Sequence, residues 1–156
     1  MKYKFSYQTT PFDFWQLSMY YTYGSIVGVC NILFTVAMFI LTLKFWSNVN
    51  DFVKILLIIA CSLFTVIQPL VVYRKAKKQV ATLPKDMEIG FDERGIHVKA
   101  GNQSSYLKWN TIKRISKKPS MLVIFSNTTH GFILTNKTLG KQKEEFYTYV
   151  VSKMKK

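Results

Sequence analysis

The two histidines are the first candidates for chemical function in this chain, because histidine binds metals and transfers protons near neutral pH. His97 lies beside Lys99 in a predicted strand and His130 lies in a predicted turn. Neither has a partner at the spacing of a metal site. We therefore interpret His97 as a solvated surface residue.

The acidic residues also lack the arrangement of a catalytic pair. They lie around a predicted turn and in the last predicted helix, as Asp86, Glu88, Asp92, Glu93, Glu144 and Glu145. Neighbouring carboxylates of this kind are more typical of a solvated surface than of a general acid and base. No glycine-rich loop opens a helix at phosphate-binding spacing. The sequence therefore predicts a protein that is not an enzyme, with no catalytic residue, no metal site and no cofactor.

Apolar and basic residues occupy different parts of the chain. Its 156 residues are 49% hydrophobic, yet the net charge is +14. Residues 1–73 contain four Lys and two Asp, which gives +2, whereas residues 74–156 contain eighteen Lys or Arg and six acidic residues, which gives +12. A soluble core of this size rarely combines both properties, so we expect an apolar part followed by a basic part.

Two uncharged blocks, residues 24–43 and 55–72, account for the apolar excess. A membrane-spanning helix needs roughly 20 apolar residues, because each residue rises about 1.5 Å through a hydrocarbon core about 30 Å thick. We predict transmembrane helices over residues 24–45 and 54–73, joined by a short external loop over 46–53. Asn31 and Gln68 are predicted to make contacts between helices, and Pro69 is predicted to kink the second span.

The flanking charges predict the orientation of this hairpin. Four cations follow the second span in a basic linker over residues 74–85, whereas the loop has only Lys44 and Lys54 at its edges. Positive residues favour the cytoplasmic side, so both termini are predicted to be cytoplasmic.

Residues 1–23 are predicted to form a cytoplasmic strand and an amphipathic aromatic helix. Apolar residues alternate over residues 3–7, and Thr10, Pro11 and Asp13 have the spacing of a helix cap. We expect the strand to pair with strands that follow the membrane hairpin. The aromatic residues predicted for the membrane interface are Trp15, Tyr20, Tyr21, Tyr23 and Trp46. The alternative for this helix is packing on the cytoplasmic domain.

Residues 86–156 are predicted to form that cytoplasmic domain. Alternating apolar residues and short turns indicate a meander of about five antiparallel strands, with Gly95 taking a positive φ in the first turn. An amphipathic helix is predicted from about Leu139 to Lys155. The fold class is therefore a membrane α-helical hairpin plus an α+β domain, in which a small antiparallel sheet or partly open barrel is capped by a C-terminal helix.

The segment EIGFDERGIHVKAGNQSSYLKWNTIKRI, followed by an apolar strand, GFILTNKTL and a terminal helix, resembles the YcxB-like family of bacterial membrane proteins. The resemblance implies two transmembrane helices in the bacterial cell membrane and a cytoplasmic domain similar to bacterial pleckstrin-homology domains. The chain departs from the family pattern at Thr135, where proline is usual, and at Leu139, where an aromatic residue is common. The family's molecular function is largely unassigned, so it adds architecture and little chemistry.

Basic clusters are the main candidates for binding. The candidate lipid-binding or partner-binding residues are Arg74, Lys75, Lys77, Lys78, Lys113, Arg114, Lys117 and Lys118. Lys153, Lys155 and Lys156 extend the basic character. We expect a domain that docks on anionic lipids of the inner leaflet and binds a protein or peptide partner, with homo-oligomers left open. Nucleic acid is not expected as a partner, because its binding would gain nothing from two membrane spans.

Two other functions remain open from the sequence. Small basic proteins with two spans and such a domain resemble self-immunity proteins of bacteriocin producers, which protect the membrane from a pore-forming peptide. Alternatively, the chain is an accessory or regulatory subunit of a membrane complex, with Asn31 and Gln68 facing partner helices.

Overall fold

The computed structural model describes residues 2–126 and 131–154. His130 and its predicted turn, and also Lys155 and Lys156, lie outside the described residues. The chain divides into two compact units. The β unit comprises Met1–Thr9 and Thr82–Lys156, and the helical unit comprises Thr10–Ala81. The helical unit is thus an insertion in the sequence of the β unit.

The elements follow one another as β1 (Tyr3–Tyr7), α1 (Pro11–Tyr23), α2 (Ile26–Phe45), α3 (Asp51–Ser62), α4 (Gln68–Ala81), β2 (Met87–Phe91), β3 (Gly95–Ala100), β4 (Gln103–Lys108), β5 (Arg114–Lys117), β6 (Met121–Phe125), β7 (Gly131–Thr135), α5 (Asn136–Leu139) and α6 (Lys143–Met154). A π-helical turn, Leu63–Ile67, joins α3 to α4. A 3-10 turn, Trp109–Thr111, precedes β5, and another, Gly140–Gln142, precedes α6. The fold class is therefore α+β.

The β unit contains two antiparallel sheets, with the orders β1-β2-β3-β4 and β5-β6-β7. Strand β1 pairs with β2, so that Tyr7 lies opposite Met87 and Tyr3 lies opposite Phe91. The prediction that the N-terminal strand joins strands beyond the apolar hairpin is confirmed. The two chain segments that enter and leave the helical unit, residues 8–10 and 82–86, therefore adjoin the same end of the neighbouring strands β1 and β2.

Aromatic side chains from β1, β2 and α6 form the centre of the core. Phe146 of α6 is fully buried. Its ring lies edge-on to those of Tyr3, Phe5 and Phe91, at centroid distances of 5.3, 5.1 and 4.7 Å. The period-two alternation of β1 directs Tyr3, Phe5 and Tyr7 inward while the intervening residues are exposed. A strand of five residues thus contributes three core aromatics.

Two tyrosines of β1 link the stability of the β unit to alkaline pH. The Tyr3 hydroxyl donates to Oε1 of Glu145 at 2.5 Å. This hydrogen bond is the main cause, and burial the second, of a Tyr3 pKa raised to about 12. Burial raises the pKa of Tyr7 to about 12. Because the pKa of an unfolded tyrosine is about 10, this contribution to stability is complete below pH 10 and is lost as the pH rises through 12.

We therefore expect the melting temperature of the β unit to fall between about pH 10 and pH 12, together with ionisation of Tyr3 and Tyr7. Thermal unfolding measured alongside the absorbance of tyrosinate tests this. In the Tyr3→Phe variant the fall should be smaller, because one of the two ionising groups is gone. An equal fall in both proteins would contradict the role of Tyr3.

Two turns of the β unit differ from the sequence prediction. The glycine with a positive φ in the first sheet is Gly101, at 57°, and not Gly95. Gly95 is required for a different reason, since a Cβ there would overlap the carbonyl oxygen of Leu107 and the ring of Tyr106. The C-terminal helix also begins later than predicted, because Gly140, with φ 54°, interrupts the chain between α5 and α6.

The helical unit holds two helices that are long and apolar enough to cross a membrane, Ile26–Phe45 and Asp51–Ala81. Within residues 51–81, all of them described, no residue of the most apolar stretch is buried. The basic cluster predicted as a linker lies inside the second of these helices, which continues to Ala81.

Helix α1 begins with the predicted cap and packs against α4. The Asp13 amide donates to Oγ1 of Thr10, and the Thr10 amide donates to Oδ2 of Asp13, so the predicted capping box is confirmed. The indole N–H of Trp15 donates to the carbonyl of Pro69 at 3.0 Å. The sequence predicted that α1 lies at the membrane interface or on the cytoplasmic domain, and it did not predict this packing against α4.

The π-helical turn explains how Pro69 is accommodated. The Gln68 amide donates to the carbonyl of Leu63, five residues back. In the same register the carbonyl of Phe64 would need the amide of Pro69, which has no N–H. The hydroxyl of Tyr23, at the end of α1, donates to that carbonyl at 2.8 Å. The unsatisfied backbone group is thereby paired by a tertiary contact.

Candidate functional site

The basic residues of α4 form the first candidate surface. Arg74, Lys75, Lys77 and Lys78 are all exposed, whereas Ala76 between them is only 2% exposed. The helix therefore presents its cations to the surroundings and its small apolar residue to the protein. This arrangement leaves four positive charges at the end of the second apolar helix.

The basic residues around β5 have less uniform environments. Lys113 and Arg114 are exposed, and the guanidinium of Arg114 lies 4.7 Å from the ring centroid of Phe125. The ammonium of Lys117 forms an ion pair with Glu144 at 2.5 Å, and Lys118 is half-buried. The cluster around β5 and the cluster in α4 belong to different units. The pairing of Lys117 reduces the net charge that the β5 cluster offers to a ligand.

The two amides predicted to make interhelical contacts bond to each other. Nδ2 of Asn31 donates to Oε1 of Gln68 at 3.1 Å. Asn31 is 7% exposed, and its carbonyl accepts from the hydroxyl of Thr35 at 2.8 Å. These contacts join α2 to the start of α4 with neutral groups.

The aromatic residues predicted for the interface fall into two groups. The first group lies on α1 and comprises Trp15, Tyr20, Tyr21 and Tyr23. In this group Trp15 donates a hydrogen bond to the backbone carbonyl of Pro69, and Tyr23 donates one to that of Phe64. Trp46 follows α2 and is exposed, with the ammonium of Lys54 lying 5.8 Å from its ring.

His97 keeps 42% of its side chain exposed, but it has partners that the sequence did not predict. It is half-buried, its Nε2 lies 2.8 Å from Oδ2 of Asp92, and its ring centroid lies 4.7 Å from that of Tyr106. The β2–β3 hairpin brings Asp92 and His97 together. A sequence argument based on the hairpin, in which the two residues are five positions apart, could have found this pair.

Several groups determine the protonation of Asp92. Burial favours its neutral form, but the backbone N–H groups of Arg94 and Gly95 and the ring of His97 donate to the carboxylate, and together they hold its pKa below the usual range. Within residues 2–126 and 131–154, no group of three or more His, Cys, Asp or Glu could hold a metal ion.

Two open clefts meet at Tyr106, on the first sheet of the β unit. One, of about 450 Å³, follows the outer face of the sheet and is lined by residues that include His97, Lys99 and Ser104. The other, of about 650 Å³, lies at the end of β4 and is lined by residues that include Arg94 and Lys108. These clefts arise from strand pairing, so the local sequence pattern does not predict them.

The structure thus defines an α+β chain with two helices apolar enough to cross a membrane and with basic surfaces. Residues 91–150, fewer than half of the chain, match the model of a family described as YcxB-like protein. This match begins at the end of β2 and ends in α6. Comparisons with curated proteins and with solved structures gave no match.

Proposed function

We propose that this chain is a non-enzymatic integral membrane protein whose basic β unit docks on anionic lipids of the inner leaflet and binds a protein or peptide partner. The observation that carries the membrane assignment is the exposure of the apolar side chains of the second helix, Asp51–Ala81. Soluble monomers rarely expose an apolar patch larger than a few hundred Å², whereas a bilayer would cover these side chains.

The charges around the hairpin support an orientation with both termini in the cytoplasm of a bacterial cell. Arg74, Lys75, Lys77 and Lys78 are exposed at the end of the second helix. Next to the segment between the two helices, residues 46–50, each helix has one cation, Lys44 or Lys54. The excess of cations beyond the second helix favours the cytoplasmic side for the β unit.

The two chain links support lipid docking. Residues 8–10 and 82–86 join the units, and five residues can span at most about 20 Å between the elements on either side. Two links of this length hold the β unit near a membrane that contains the helices. Each cation near an anionic leaflet contributes about 1 kcal/mol of binding free energy. This attraction decays over a Debye length, which is about 8 Å at physiological salt, so it requires a domain that is held close to the membrane.

The fold of the β unit supports a pleckstrin-homology-like domain. Its sheets of four and three antiparallel strands are followed by the helix α6, whose Phe146 packs among the aromatics of β1 and β2. We infer from this arrangement a domain of the pleckstrin-homology type, which is a class of binding modules. In this chain the apolar hairpin lies between the first two strands.

Lipid docking is tested with the full chain in bilayer discs. Hydrogen exchange of residues 113–118 should be slower in discs of phosphatidylglycerol than in discs of phosphatidylcholine, and high salt should remove the difference. The variant Lys113→Gln with Arg114→Gln removes two cations, each of which contributes about 1 kcal/mol to docking. The ratio of docked to undocked protein should therefore fall about 30-fold.

The matched control changes two exposed cations on other elements, Lys137→Gln and Lys141→Gln. It alters the net charge equally and should keep the protection of residues 113–118. Equal exchange in the two kinds of disc, or equal loss in both variants, would contradict docking through this surface.

The alternative of a subunit in a larger membrane complex has less support. Nδ2 of Asn31 already donates a hydrogen bond to Oε1 of Gln68 within the chain. Fewer polar groups are therefore left to bind partner helices. A self-immunity function has no observation of its own in its favour.

A further inference from the structure

Strand β4 forms one edge of the first sheet, with β3 as its hydrogen-bonded neighbour. Of its six residues, Gln103–Lys108, five are exposed. Alternate residues of an edge strand direct their N–H and C=O groups away from the sheet. At the other edge, α5 packs against β1. Strand β4 is therefore the edge at which this sheet can accept another strand.

The surroundings of β4 are cationic. Lys99 lies opposite Ser104 in the register, Lys108 ends the strand, and Arg94 shares a cleft with Lys108. Two nearby acidic residues form ion pairs, Glu88 with Lys4 and Glu93 with Lys153. Asp92 is hydrogen-bonded to His97, and its single charge is outnumbered by those of Arg94, Lys99 and Lys108. The remaining charge along this edge is positive, which favours a partner that carries carboxylates.

Tyr106 provides an apolar contact at the middle of this edge. Its side chain is 43% exposed and lies where the two clefts meet. In an added strand, alternate side chains would lie over the face that carries Tyr106, Lys99 and Lys108. Backbone bonds would give affinity, and these side chains would select acidic and apolar residues.

We propose that the β4 edge binds an extended acidic segment of a partner protein as an additional strand of the sheet. A second copy of this chain is a poorer occupant, because pairing two β4 edges would bring Arg94, Lys99 and Lys108 of both copies together. This inference rests on the partner-binding part of the proposed function and is independent of lipid docking.

The test uses the full chain in discs of zwitterionic phosphatidylcholine, so that anionic lipid does not compete. The probe is a fluorescent peptide of alternating glutamate and valine, and its control has glutamine in place of glutamate. We expect the glutamate peptide to bind, with an affinity that falls as salt rises, and the glutamine peptide to bind at least about tenfold more weakly.

Backbone methylation separates strand addition from simple charge attraction. Two further probes carry N-methyl groups on one or the other alternate set of peptide amides, with the same charges as the first probe. Only one set faces β4 in an added strand, so one methylated peptide should lose binding and the other should keep it. These measurements need no substitution in the protein.

Substitutions then locate the site. Arg94→Glu with Lys108→Glu should weaken binding of the glutamate peptide at least about tenfold, whereas Lys137→Glu with Lys141→Glu, an equal change in charge on other elements, should leave it within about twofold.

Equal binding of both methylated peptides would overturn strand addition. If no peptide binds and the Arg94 and Lys108 variant loses the amide protection that residues 113–118 gain in phosphatidylglycerol discs, the proposal would also be overturned, because the surface would then be a lipid contact. Concentration-dependent dimers that compete with the peptide would identify a second copy as the occupant and would also overturn the proposal. Failure of lipid docking alone would leave the peptide result unchanged.

Discussion

A chain without residues 2–9 is expected to lose the folded β unit, although these residues are separated from the rest of that unit by the whole helical insertion. Strand β1 supplies Tyr3, Phe5 and Tyr7, each 7–8% exposed in the folded protein. Replacing one buried Phe by Ala typically costs about 3–5 kcal/mol, and a domain is stable by only about 5–15 kcal/mol. Losing all three aromatics and the pairing with β2 should therefore exceed the stability of the unit.

The control for this deletion restores β1 without the helical unit. Because Tyr7 lies opposite Met87 in an antiparallel pair, a two-residue Asn-Gly turn can connect them directly. We expect residues 82–156 alone to lack a cooperative thermal transition, and the chain of residues 2–7, Asn-Gly and residues 87–156 to have one. Circular dichroism and amide exchange measure both. A cooperative transition in the fragment without β1 would contradict the prediction.

The second large effect is expected at Phe146. Its ring is fully buried and contacts aromatic rings of β1 and β2. Phe146→Ala should reduce the free energy of unfolding of the β unit by about 3–5 kcal/mol. Denaturant unfolding of the hairpin-linked β unit, or thermal unfolding of the full chain, measures the loss.

Thr148→Ala on the same helix is the matched control, because Thr148 is exposed and surface substitutions usually change stability by less than about 0.5 kcal/mol. A double-mutant cycle with Phe5→Ala tests the contact itself, and residues in contact usually show coupling of about 0.5–3 kcal/mol. Additive effects of Phe5→Ala and Phe146→Ala would show that their contact is not what stabilises the unit.

The local patterns in the sequence predicted the elements that depend on neighbouring residues. The alternation of Tyr3, Phe5 and Tyr7 predicted β1, the spacing of Thr10 and Asp13 predicted the start of α1, and two uncharged blocks predicted the apolar helices. These features follow from backbone periodicity, capping and hydrophobicity, which act over a few residues. The pairing of β1 beyond the hairpin could also be predicted, because an isolated strand needs a partner.

Other features depend on residues that meet only in the folded chain. The requirement for glycine at position 95 depends on the close approach of Tyr106 and Leu107 across β3 and β4. The contact between Tyr23 and Phe64 depends on the packing of α1 beside the π-helical turn. The pair of Asp92 and His97 depends on the hairpin between β2 and β3.

The candidate sites show the same division. The sequence by itself determined which residues are basic and that they follow an apolar hairpin, because charge and hydropathy are properties of single residues. Only the tertiary structure decided that Lys117 is paired with Glu144, that β4 is an edge strand, and that Arg94 and Lys108 share a cleft. The charge available to a ligand depends on distances between side chains, and those distances are set by strand register and helix packing.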